Sequence, residues 1–267
     1  MNLTIRHELF EQTKMWIREA GILIKEKLNE PLLVNTKSSK NDLVTEIDKS
    51  IEAFFVKKIT ETYPNDVILS EESLNDTLID NKGVTWIIDP IDGTMNLVHQ
   101  QSDFAISVGI YDSGVGEIGF IYDVMNDQLY SAVRGKGAFK NNVQMKKLDE
   151  HLTLDKSLLC VNPRWLCKQK FFDKNGLRKM ISSVHGIRYY GAATLQIAYV
   201  AEGKLGAYLS MSLEPWDYAA GKIILQEVGG VISKVDGTPI NSLVKESCIV
   251  CHPQIHQELV KLLNSHI

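Results

Sequence analysis

The sequence has few cysteines and no long apolar run, and each shortage excludes a class of protein. Four cysteines in 267 residues are too few for the disulfide framework that holds small secreted domains together. No stretch approaches the ~20 consecutive apolar residues that a membrane-spanning helix needs. Charged side chains interrupt every apolar run in residues 1–29, which is unlike a signal peptide. We therefore expect a cytoplasmic protein with no membrane partner.

An excess of positive charge is also missing. The chain has 29 lysines and arginines against 33 aspartates and glutamates, a net charge of −4, so we expect no nucleic-acid partner. A hydrophobic fraction of 44% and a charged fraction of 23% are ordinary for a globular protein. This length allows one large domain or two small ones, with a sizeable buried core.

Cofactor motifs are absent or misleading. The sequence has no G-x-x-x-x-G-K-[ST] segment, which excludes a P-loop. Residues 114–119 match the dinucleotide pattern G-x-G-x-x-G, but residues 120–124 have β-strand character where that motif requires a helix. Cys248, Cys251 and His252 match the C-x-x-C-H pattern of haem attachment. We interpret this segment instead as a buried strand with two small apolar thiols.

The most informative stretch of the sequence lies at residues 84–94. An apolar run, residues 84–88, is bounded by Gly83 and Pro90 and predicts a buried strand. We expect Pro90 to end that strand, because proline has no N–H group to donate to a sheet.

Two carboxylates and a predicted helix start follow this strand. Asp89 and Asp92 are followed by Gly93, which lets the backbone approach a ligand closely, and by Thr94. If a helix begins near Thr94, its N–H groups and the positive end of its dipole point at a bound anion. Carboxylates beside such a helix start indicate a metal ion that bridges to a phosphate. The alternative is a simple turn with an aspartate cap.

Further acids lie next to other predicted elements. Asp48 lies near the start of a predicted second helix, and Asp217 is the expected N-cap of a later helix. Glu71 and Glu72 come directly after a short predicted strand. Strands that end at Glu71 and Asp89 would bring acids to one edge of a sheet, the usual place for a site in an α/β fold. The alternative is that these acids are helix caps and parts of solvated loops.

The chain divides near residue 150. Alternating apolar residues between 103 and 140, with turn signals between them, predict an antiparallel meander. Beyond residue 150, helical and strand patterns alternate. We therefore expect an N-terminal α+β half, residues 1–150, that carries the metal-binding strand ends and the meander. A C-terminal α/β half, residues 151–267, would complete the active site.

Four short segments, in this order and spacing, carry a resemblance to one enzyme family: residues 42–48, 71–73, 89–94 and 216–221. Together they resemble the inositol monophosphatase family of magnesium-dependent, lithium-sensitive phosphatases, and the resemblance covers nearly the whole chain. It implies an α+β fold, a layered α-β-α-β-α sandwich with an antiparallel N-terminal sheet and a second α/β half. It also implies a homodimer and a small-molecule phosphate monoester as substrate.

The resemblance implies two to three Mg²⁺ ions in each site. Glu71, Asp89 and the carbonyl group of Ile91 would bind the first ion. Asp89, Asp92 and Asp217 would bind the second, and a third, weaker ion would lie near Glu71. Magnesium prefers oxygen ligands, and paired ions ~3.5–4 Å apart clamp the attacking and leaving oxygens of a displacement at phosphorus.

The resemblance also assigns roles around these metal ligands. Thr94 and Asp48 would be catalytic, because together they would orient and help deprotonate the attacking water. The N–H groups of Gly93 and Thr94 would hold phosphate oxygens. Glu72 would support the metal ligands without binding the metal directly. Lys37 would make a minor contribution from a mobile loop near the third ion.

The implied substrate contacts leave the specificity open. The residues concerned are Glu71, Ile91, Asp92, Gly93, Thr94, Ala193, Ser210 and Asp217. Ser210 stands where animal members of the family carry a glutamate that touches inositol hydroxyls, so we expect a broadened substrate range. We predict hydrolysis of inositol 1-phosphate and similar monoesters, with NADP(H) 2′-phosphatase or fructose-1,6-bisphosphatase activity as alternatives. A non-catalytic phosphate-binding protein is a further alternative.

Overall fold

Two large β-sheets alternate with three layers of helices in the computed structural model of the chain, which describes residues 1–36, 43–72, 83–167, 174–240 and 243–264. The helices are α1 (Leu3–Lys27), α2 (Glu46–Thr62), α3 (Thr94–Gln100), α4 (Arg164–Cys167), α5 (Lys174–Ser183), α6 (Ala193–Ala201), α7 (Pro215–Glu227) and α8 (Pro253–Leu263). The strands are β1 (Val34–Thr36), β2 (Leu43–Thr45), β3 (Val67–Ser70), β4 (Val84–Asp92), β5 (Ala105–Asp112), β6 (Val115–Asp123), β7 (Gln128–Val133), β8 (Ala138–Lys140), β9 (Val143–Gln144), β10 (Leu158–Val161), β11 (Gly186–Arg188), β12 (Ala207–Leu213), β13 (Val231–Ser233) and β14 (Glu246–Cys251). Across these described ranges, no helix combines the length and the apolar character needed to cross a membrane.

The larger sheet contains seven strands in the order β3-β4-β5-β6-β7-β8-β9. Strands β3 and β4 run parallel, and each later pair is antiparallel. The predicted antiparallel meander is therefore confirmed. The segment that matches the dinucleotide pattern forms the turn before β6 and part of β6 itself, so a strand follows where a dinucleotide site needs a helix.

Helices α1 and α2 cover the outer face of this sheet. Trp16 and Ile17 of α1, with Ile51 and Phe55 of α2, belong to the same buried cluster as Trp86 of β4. The rings of Trp16 and Trp86 lie 6.0 Å apart, measured between centroids. The apolar residues of each helix recur at helical spacing, so each helix presents one apolar face to the sheet.

The smaller sheet contains five strands in the order β11-β10-β12-β14-β13. Strand β10 runs parallel to both of its neighbours, whereas β14 is antiparallel to β12 and β13. Helices α5 and α8 cover its outer face through a separate apolar cluster. Because β10, β11 and β12 are parallel, the residues that follow them meet at one edge of the sheet.

Helices α6 and α7 form the middle layer between the two sheets. Glycines in the strands let α7 lie close to the seven-stranded sheet. A Cβ atom at Gly119, on β6, would lie 2.5 Å from the carbonyl oxygen of Ala220. One buried cluster contains residues of both sheets and of both helices. The predicted α-β-α-β-α sandwich is thus confirmed. This shared core joins residues 1–150 to residues 151–267. The division of the chain into these two halves therefore stays a prediction.

The segment that matches the haem-attachment pattern is a buried strand. Cys248 and Cys251 lie on β14, and both are fully buried. Cys248 belongs to the cluster between the sheets, whereas Cys251 belongs to the cluster under α5 and α8. Residues three apart on a strand point to opposite faces, so the two thiols cannot reach one haem group.

The prediction that Pro90 ends the strand is wrong. Strand β4 continues through Pro90 to Asp92, and it pairs with β5 on both sides of the proline. The register shifts between Asp89 and Asp92, which is a bulge in the ladder. A bulge leaves a residue unpaired, so a residue without an N–H group is tolerated there.

Candidate active site

Three aspartates meet where β4 ends and α7 begins. One carboxylate oxygen from each of Asp89, Asp92 and Asp217 lies within 4.8 Å of the others. Asp89 is 1% exposed and Asp92 is 7% exposed. Glu71, directly after β3, lies close enough for its charge to act on all three aspartates. The structure therefore brings together acids from three separate elements.

Burial and mutual repulsion disfavour the ionised form of these carboxylates when no cation is bound. Burial raises the pKa of Asp89 well above its usual value, and the charges of Glu71 and of the other two aspartates raise it further. Burial also raises the pKa of Asp92 to about 6, although hydrogen bonds from Thr194 oppose this shift. The pKa of Asp217 is raised by burial and by the charge of Asp92. A buried set of oxygen donors with excess negative charge fits a hard divalent cation such as Mg²⁺.

Hydrogen bonds hold two of these aspartates in place. The N–H group of Ile91 donates to Asp89 Oδ1 at 3.0 Å. The N–H group and the hydroxyl of Thr194 both donate to Asp92 Oδ2, at 2.6 and 2.5 Å. Thr194 is fully buried in the first turn of α6. It is 102 residues away from Asp92 along the chain, so no local pattern in the sequence identifies it.

The start of α7 differs from the prediction. Asp217 is not the N-cap: Glu214 is the N-cap, Pro215 begins the helix, and Asp217 is its third residue. The N–H group of Glu214 donates to Asp217 Oδ2 at 2.8 Å. Proline suits the first helical position, because its missing N–H group would have no partner there anyway. The cap therefore falls on the residue before the proline, and Asp217 both closes a capping box and belongs to the carboxylate cluster.

A threonine and an aspartate are hydrogen-bonded beside the cluster. The hydroxyl of Thr94 lies 3.0 Å from Asp48 Oδ1 and 3.2 Å from the carbonyl oxygen of Ile91. Asp48 Oδ2 accepts bonds from the N–H group and the hydroxyl of Thr45, at 2.9 and 2.5 Å. Burial raises the pKa of Asp48, and the bonds from Thr45 and Thr94 oppose that shift. Thr45 is the N-cap of α2, and Asp48, its third residue, closes the capping box and holds the Thr94 hydroxyl at the same time.

Gly93 occupies a position that other residues could not take without strain. Its φ is +95°, and a Cβ atom there would lie 3.0 Å from the Ala192 side chain and 3.2 Å from the carbonyl oxygen of Asp103. Helix α3 begins at the next residue, Thr94, as the sequence predicts. The glycine thus lets the start of α3 lie against the segment that leads into α6.

A cleft of about 500 Å³ opens beside these groups. The residues that line it are Glu71, Gly93, Thr94, Met95, Asn96, Asn162, Pro163, Arg164, Tyr189 and Gly191. Its volume falls within the ~300–1,000 Å³ that is typical of small-molecule sites. One part of its lining follows β3 and β4 or lies in α3, and the other part follows β10 and β11.

The sequence-based prediction misses most of the cleft lining, including Asn162, Arg164 and Tyr189. Asn162 directly follows β10 and Tyr189 directly follows β11, and these strands are parallel neighbours. The rule about strand ends that indicates Glu71 and Asp89 applies equally to them. Once the parallel pairing of β10 and β11 is known, the rule identifies Asn162 and Tyr189, but the local sequence does not show that pairing.

The other predicted site residues are placed as follows. Ala193 begins α6, and its N–H group helps to hold Asp92. Ser210 lies on β12, is 5% exposed and is not among the residues that line this cleft. The N–H group of Glu72 donates a hydrogen bond to Glu52 Oε1, on α2, at 3.2 Å. Lys37 lies outside the described residues. The roles of all four residues stay predictions.

Comparisons with known proteins identify relatives over nearly the full length of the chain. The family model described as "Inositol monophosphatase family" matches residues 6–267. Inositol-1-monophosphatase of Bacillus subtilis (strain 168) is 46% identical over 252 residues, which cover 94% of this chain and 95% of that protein. The crystal structure of 2′AMP-bound SaIMPase-II is 40% identical, with a TM-score of 0.89 over 97% of this chain and 95% of that one. The crystal structure of an IMPase/NADP phosphatase complexed with Mg²⁺ and phosphate is 27% identical, with a TM-score of 0.90 over 98% and 97%.

Proposed function

The chain belongs to the inositol monophosphatase family, and on that premise we propose that it is a Mg²⁺-dependent phosphatase of inositol 1-phosphate and similar small monoesters. The observation that carries this proposal is the buried carboxylate cluster with a hydrogen-bonded threonine and aspartate beside it. In the reaction, a bond forms between phosphorus and a water oxygen, and the ester P–O bond breaks. The leaving oxygen then takes up a proton.

We propose that two to three Mg²⁺ ions bind in the carboxylate cluster. The ligands would be Glu71, Asp89, the carbonyl group of Ile91, Asp92 and Asp217. The donor set supports this, because it offers only oxygen atoms and its aspartates repel one another. When bound, the ions stabilise the charge that develops on the phosphoryl group and the leaving oxygen. The relative whose structure contains Mg²⁺ and phosphate also supports this proposal.

Thr94 orients the attacking water, accepts its proton and passes its own hydroxyl proton to Asp48, which acts as the base. The Thr94 hydroxyl donates to Asp48 at 3.0 Å, which leaves its oxygen able to accept a hydrogen bond from water. The raised pKa of Asp48 makes it a stronger base than an exposed aspartate. A protein that only binds phosphate does not need the hydrogen bond between Thr94 and Asp48 for proton transfer, so this bond favours catalysis over the non-catalytic alternative.

The groups around the cleft place the phosphate. Gly93 and Thr94 stand at the start of α3 and line the cleft, so their N–H groups are placed to hold phosphate oxygens. Glu72 follows Glu71 and bonds to α2 through its backbone, which supports a role in positioning Glu71. Lys37 is assigned its minor role by the family resemblance alone.

The 2′-phosphate of NADP is a second candidate substrate. The cleft of about 500 Å³ has aromatic and basic residues in its lining. Two of the relatives are a 2′AMP-bound protein and an NADP phosphatase. In addition, the family resemblance places Ser210, a neutral residue outside the lining of this cleft, where animal enzymes carry a carboxylate, and its lack of charge would lower repulsion against a second phosphate on the substrate.

The family resemblance supports three further properties, which we include in the proposal. These are inhibition by lithium, assembly as a homodimer and a cytoplasmic location. Phosphate release in a lithium chloride series tests the first, sedimentation equilibrium tests the second, and cell fractionation tests the third.

Phosphate release across a panel of monoesters tests the proposed function. The panel contains inositol 1-phosphate, NADP and fructose 1,6-bisphosphate, each with Mg²⁺ and after exhaustive chelation. We expect release from inositol 1-phosphate and from NADP with Mg²⁺, and none after chelation. Undiminished release after chelation would contradict the metal-dependent mechanism. A protein that binds these compounds without releasing phosphate would be the non-catalytic alternative.

A further inference from the structure

Two short segments lie side by side next to the carboxylate cluster. The first, residues 92–96, ends β4 and begins α3, and the second, residues 190–194, connects β11 to the first turn of α6. The N–H group and the hydroxyl of Thr194 donate to Asp92 Oδ2, at 2.6 and 2.5 Å, and link the two segments at one end. The position of this end therefore depends on how the rest of the second segment is held.

Asn96 links the two segments at the other end. Its side chain is only 7% exposed, and its Nδ2 donates to the carbonyl oxygen of Tyr190 at 2.7 Å and to that of Asp103 at 2.8 Å. An amide nitrogen carries two N–H donors, so both are used. Tyr190 is 94 residues away from Asn96 along the chain. Together with the bonds from Thr194, this hydrogen bond closes a ring of backbone and hydrogen bonds that contains Asp92.

The middle parts of the two segments are in close contact. A Cβ atom at Gly93 would lie 3.0 Å from the side chain of Ala192, and a Cβ atom at Gly191 would lie 2.9 Å from Asn96 Oδ1. The φ angle of Gly191 is +87°, which residues with a side chain rarely adopt. Because the two segments are packed this closely, we expect a shift at the Asn96 end to reach the Thr194 end.

Tyr190, the backbone partner of Asn96, is held from its other side as well. Its N–H group donates to Gln196 Oε1 at 3.2 Å, and the same oxygen accepts a hydrogen bond from Cys160 Sγ at 2.7 Å. Gln196 lies on α6 and is 1% exposed. The N–H group and the carbonyl group of Tyr190 are therefore both fixed, so Asn96 bonds to a partner with a defined position.

We propose that Asn96 is a positioning residue for Asp92. By holding residues 190–194 against α3, it fixes the N–H group and the hydroxyl of Thr194, and these two groups orient the Asp92 carboxylate. The proposal rests on the proposed function, which assigns Asp92 to the metal site. It adds a residue of α3 to the groups that determine the geometry of that site.

Asn264 offers a matched control for a purely structural role. Its Nδ2 also donates to two backbone carbonyl oxygens, those of Val235 at 2.9 Å and Val260 at 2.8 Å. It directly follows α8, in an outer helix layer, and is not among the residues that line the cleft. Leucine has nearly the shape of asparagine but no donor. Asn96→Leu and Asn264→Leu therefore remove the same kind of bonds at two different places.

Hydrogen exchange at the Thr194 amide tests the link without metal or substrate. This N–H group donates to Asp92, so its exchange rate reports how often the two segments separate. The rate is measured by NMR in the presence of a chelator, and urea unfolding gives the stability of each variant. We expect the Thr194 amide to exchange ~10-fold faster in Asn96→Leu than in Asn264→Leu, because only the first variant opens the ring.

Calorimetric titration of Mg²⁺ tests the consequence for the metal site. Groups that orient a metal ligand typically contribute ~10–100-fold to affinity. Asn96 acts through Thr194, so we expect Asn96→Leu to bind Mg²⁺ ~10-fold more weakly than wild type and Asn264→Leu to stay within ~2-fold of wild type. Asn96→Ser keeps one donor on a smaller side chain, should lose only ~3-fold, and replaces Asn96→Leu if that variant does not fold.

The two measurements separate this proposal from the proposed function. Equal Thr194 exchange rates in Asn96→Leu and Asn264→Leu would overturn the link between the segments. Faster exchange in Asn96→Leu with the Mg²⁺ affinity of wild type would overturn the positioning role. A wild type that binds no Mg²⁺ and releases no phosphate would overturn the proposed function alone, since the exchange rates would still decide whether Asn96 holds Thr194 against Asp92.

Discussion

The two parts of the cleft are built in different ways. The carboxylate part is buried; local hydrogen bonds fix Asp89 and Asp48, and a hydrogen bond from α6 fixes Asp92. The part that follows β10 and β11 is exposed, and its order comes from one short chain of hydrogen bonds through Asn162. A change in the first part therefore alters charge and geometry that many groups share. A change in the second part can alter which molecule fits without disturbing the first.

The largest effect is expected from Asp89→Asn in the buried part. The charges of Glu71 and of the other two aspartates all act on Asp89, which is proposed to bind two ions at once, so losing its charge weakens the binding of both. We expect kcat to fall by ~10³-fold or more and Mg²⁺ affinity to fall with it. Phosphate release and calorimetric titration of Mg²⁺ are the measurements. Asp155→Asn makes the same chemical change at an exposed position and is the matched control.

Thr94→Ala is expected to separate catalysis from metal binding. The substitution removes the hydroxyl that bonds to Asp48 and leaves the carboxylate cluster intact. We expect kcat to fall by ~10²-fold with little change in Mg²⁺ affinity, since proton transfer by a positioned group contributes about that much. Thr94→Ser keeps a hydroxyl and should recover most of the rate. Equal losses of Mg²⁺ affinity in Thr94→Ala and Asp89→Asn would contradict this division of roles.

The stability of the metal-free protein should fall as the pH rises. The folded-state pKa of Asp92 is about 6 against an ordinary value of 3.8, so between these values the folded state binds more protons than the unfolded state. Its free energy of unfolding therefore decreases from about pH 4 to about pH 6, by ~1–3 kcal/mol. Urea unfolding in the presence of a chelator measures this slope. Asp92→Asn should make the slope shallower without abolishing it, because the pKa values of Asp89 and Asp217 are also raised; an unchanged slope in that variant would rule out the explanation.

A smaller effect is expected from Thr194→Val. Valine has nearly the same shape and keeps the backbone N–H bond to Asp92, but it removes the hydroxyl bond at 2.5 Å. Groups that orient a metal ligand typically contribute ~10–100-fold to affinity. With one of the two bonds retained, we expect a loss of Mg²⁺ affinity near the lower limit, ~10-fold. Thr194→Ser serves as the control. If Thr194→Val binds Mg²⁺ as wild type does, the hydroxyl does not position Asp92.

Local patterns in the sequence predict the buried part of the site well. Asp89 directly follows the apolar run of residues 84–88, Glu71 directly follows an apolar strand, and Gly93 and Thr94 come next at a spacing that indicates a helix start. Each of these inferences needs only a few neighbouring residues, so it can be made without knowledge of the fold. The same holds for the amphipathic outer helices and the meander.

Features that depend on distant partners are not predictable in this way. Strand β4 passes through Pro90 only because its pairing with β5 shifts there. The hydrogen bond from Thr194 to Asp92 joins residues 102 positions apart, and nothing in the sequence near either residue indicates the other. Tyr189 joins the cleft because β11 runs beside β10. Pairing of strands across the chain therefore decides these features, and local composition does not.

Anomalous diffraction from crystals soaked with Mn²⁺ tests the central claim most directly. Manganese accepts the same oxygen ligands as magnesium and scatters anomalously, so its positions identify the metal site without reference to activity. We expect at least two peaks, with the one nearest Asp89 shared between Asp92 and Asp217 in wild type and lost in Asp89→Asn. Peaks elsewhere, or none among these three aspartates, would contradict the proposal that the buried cluster is a metal-dependent active site.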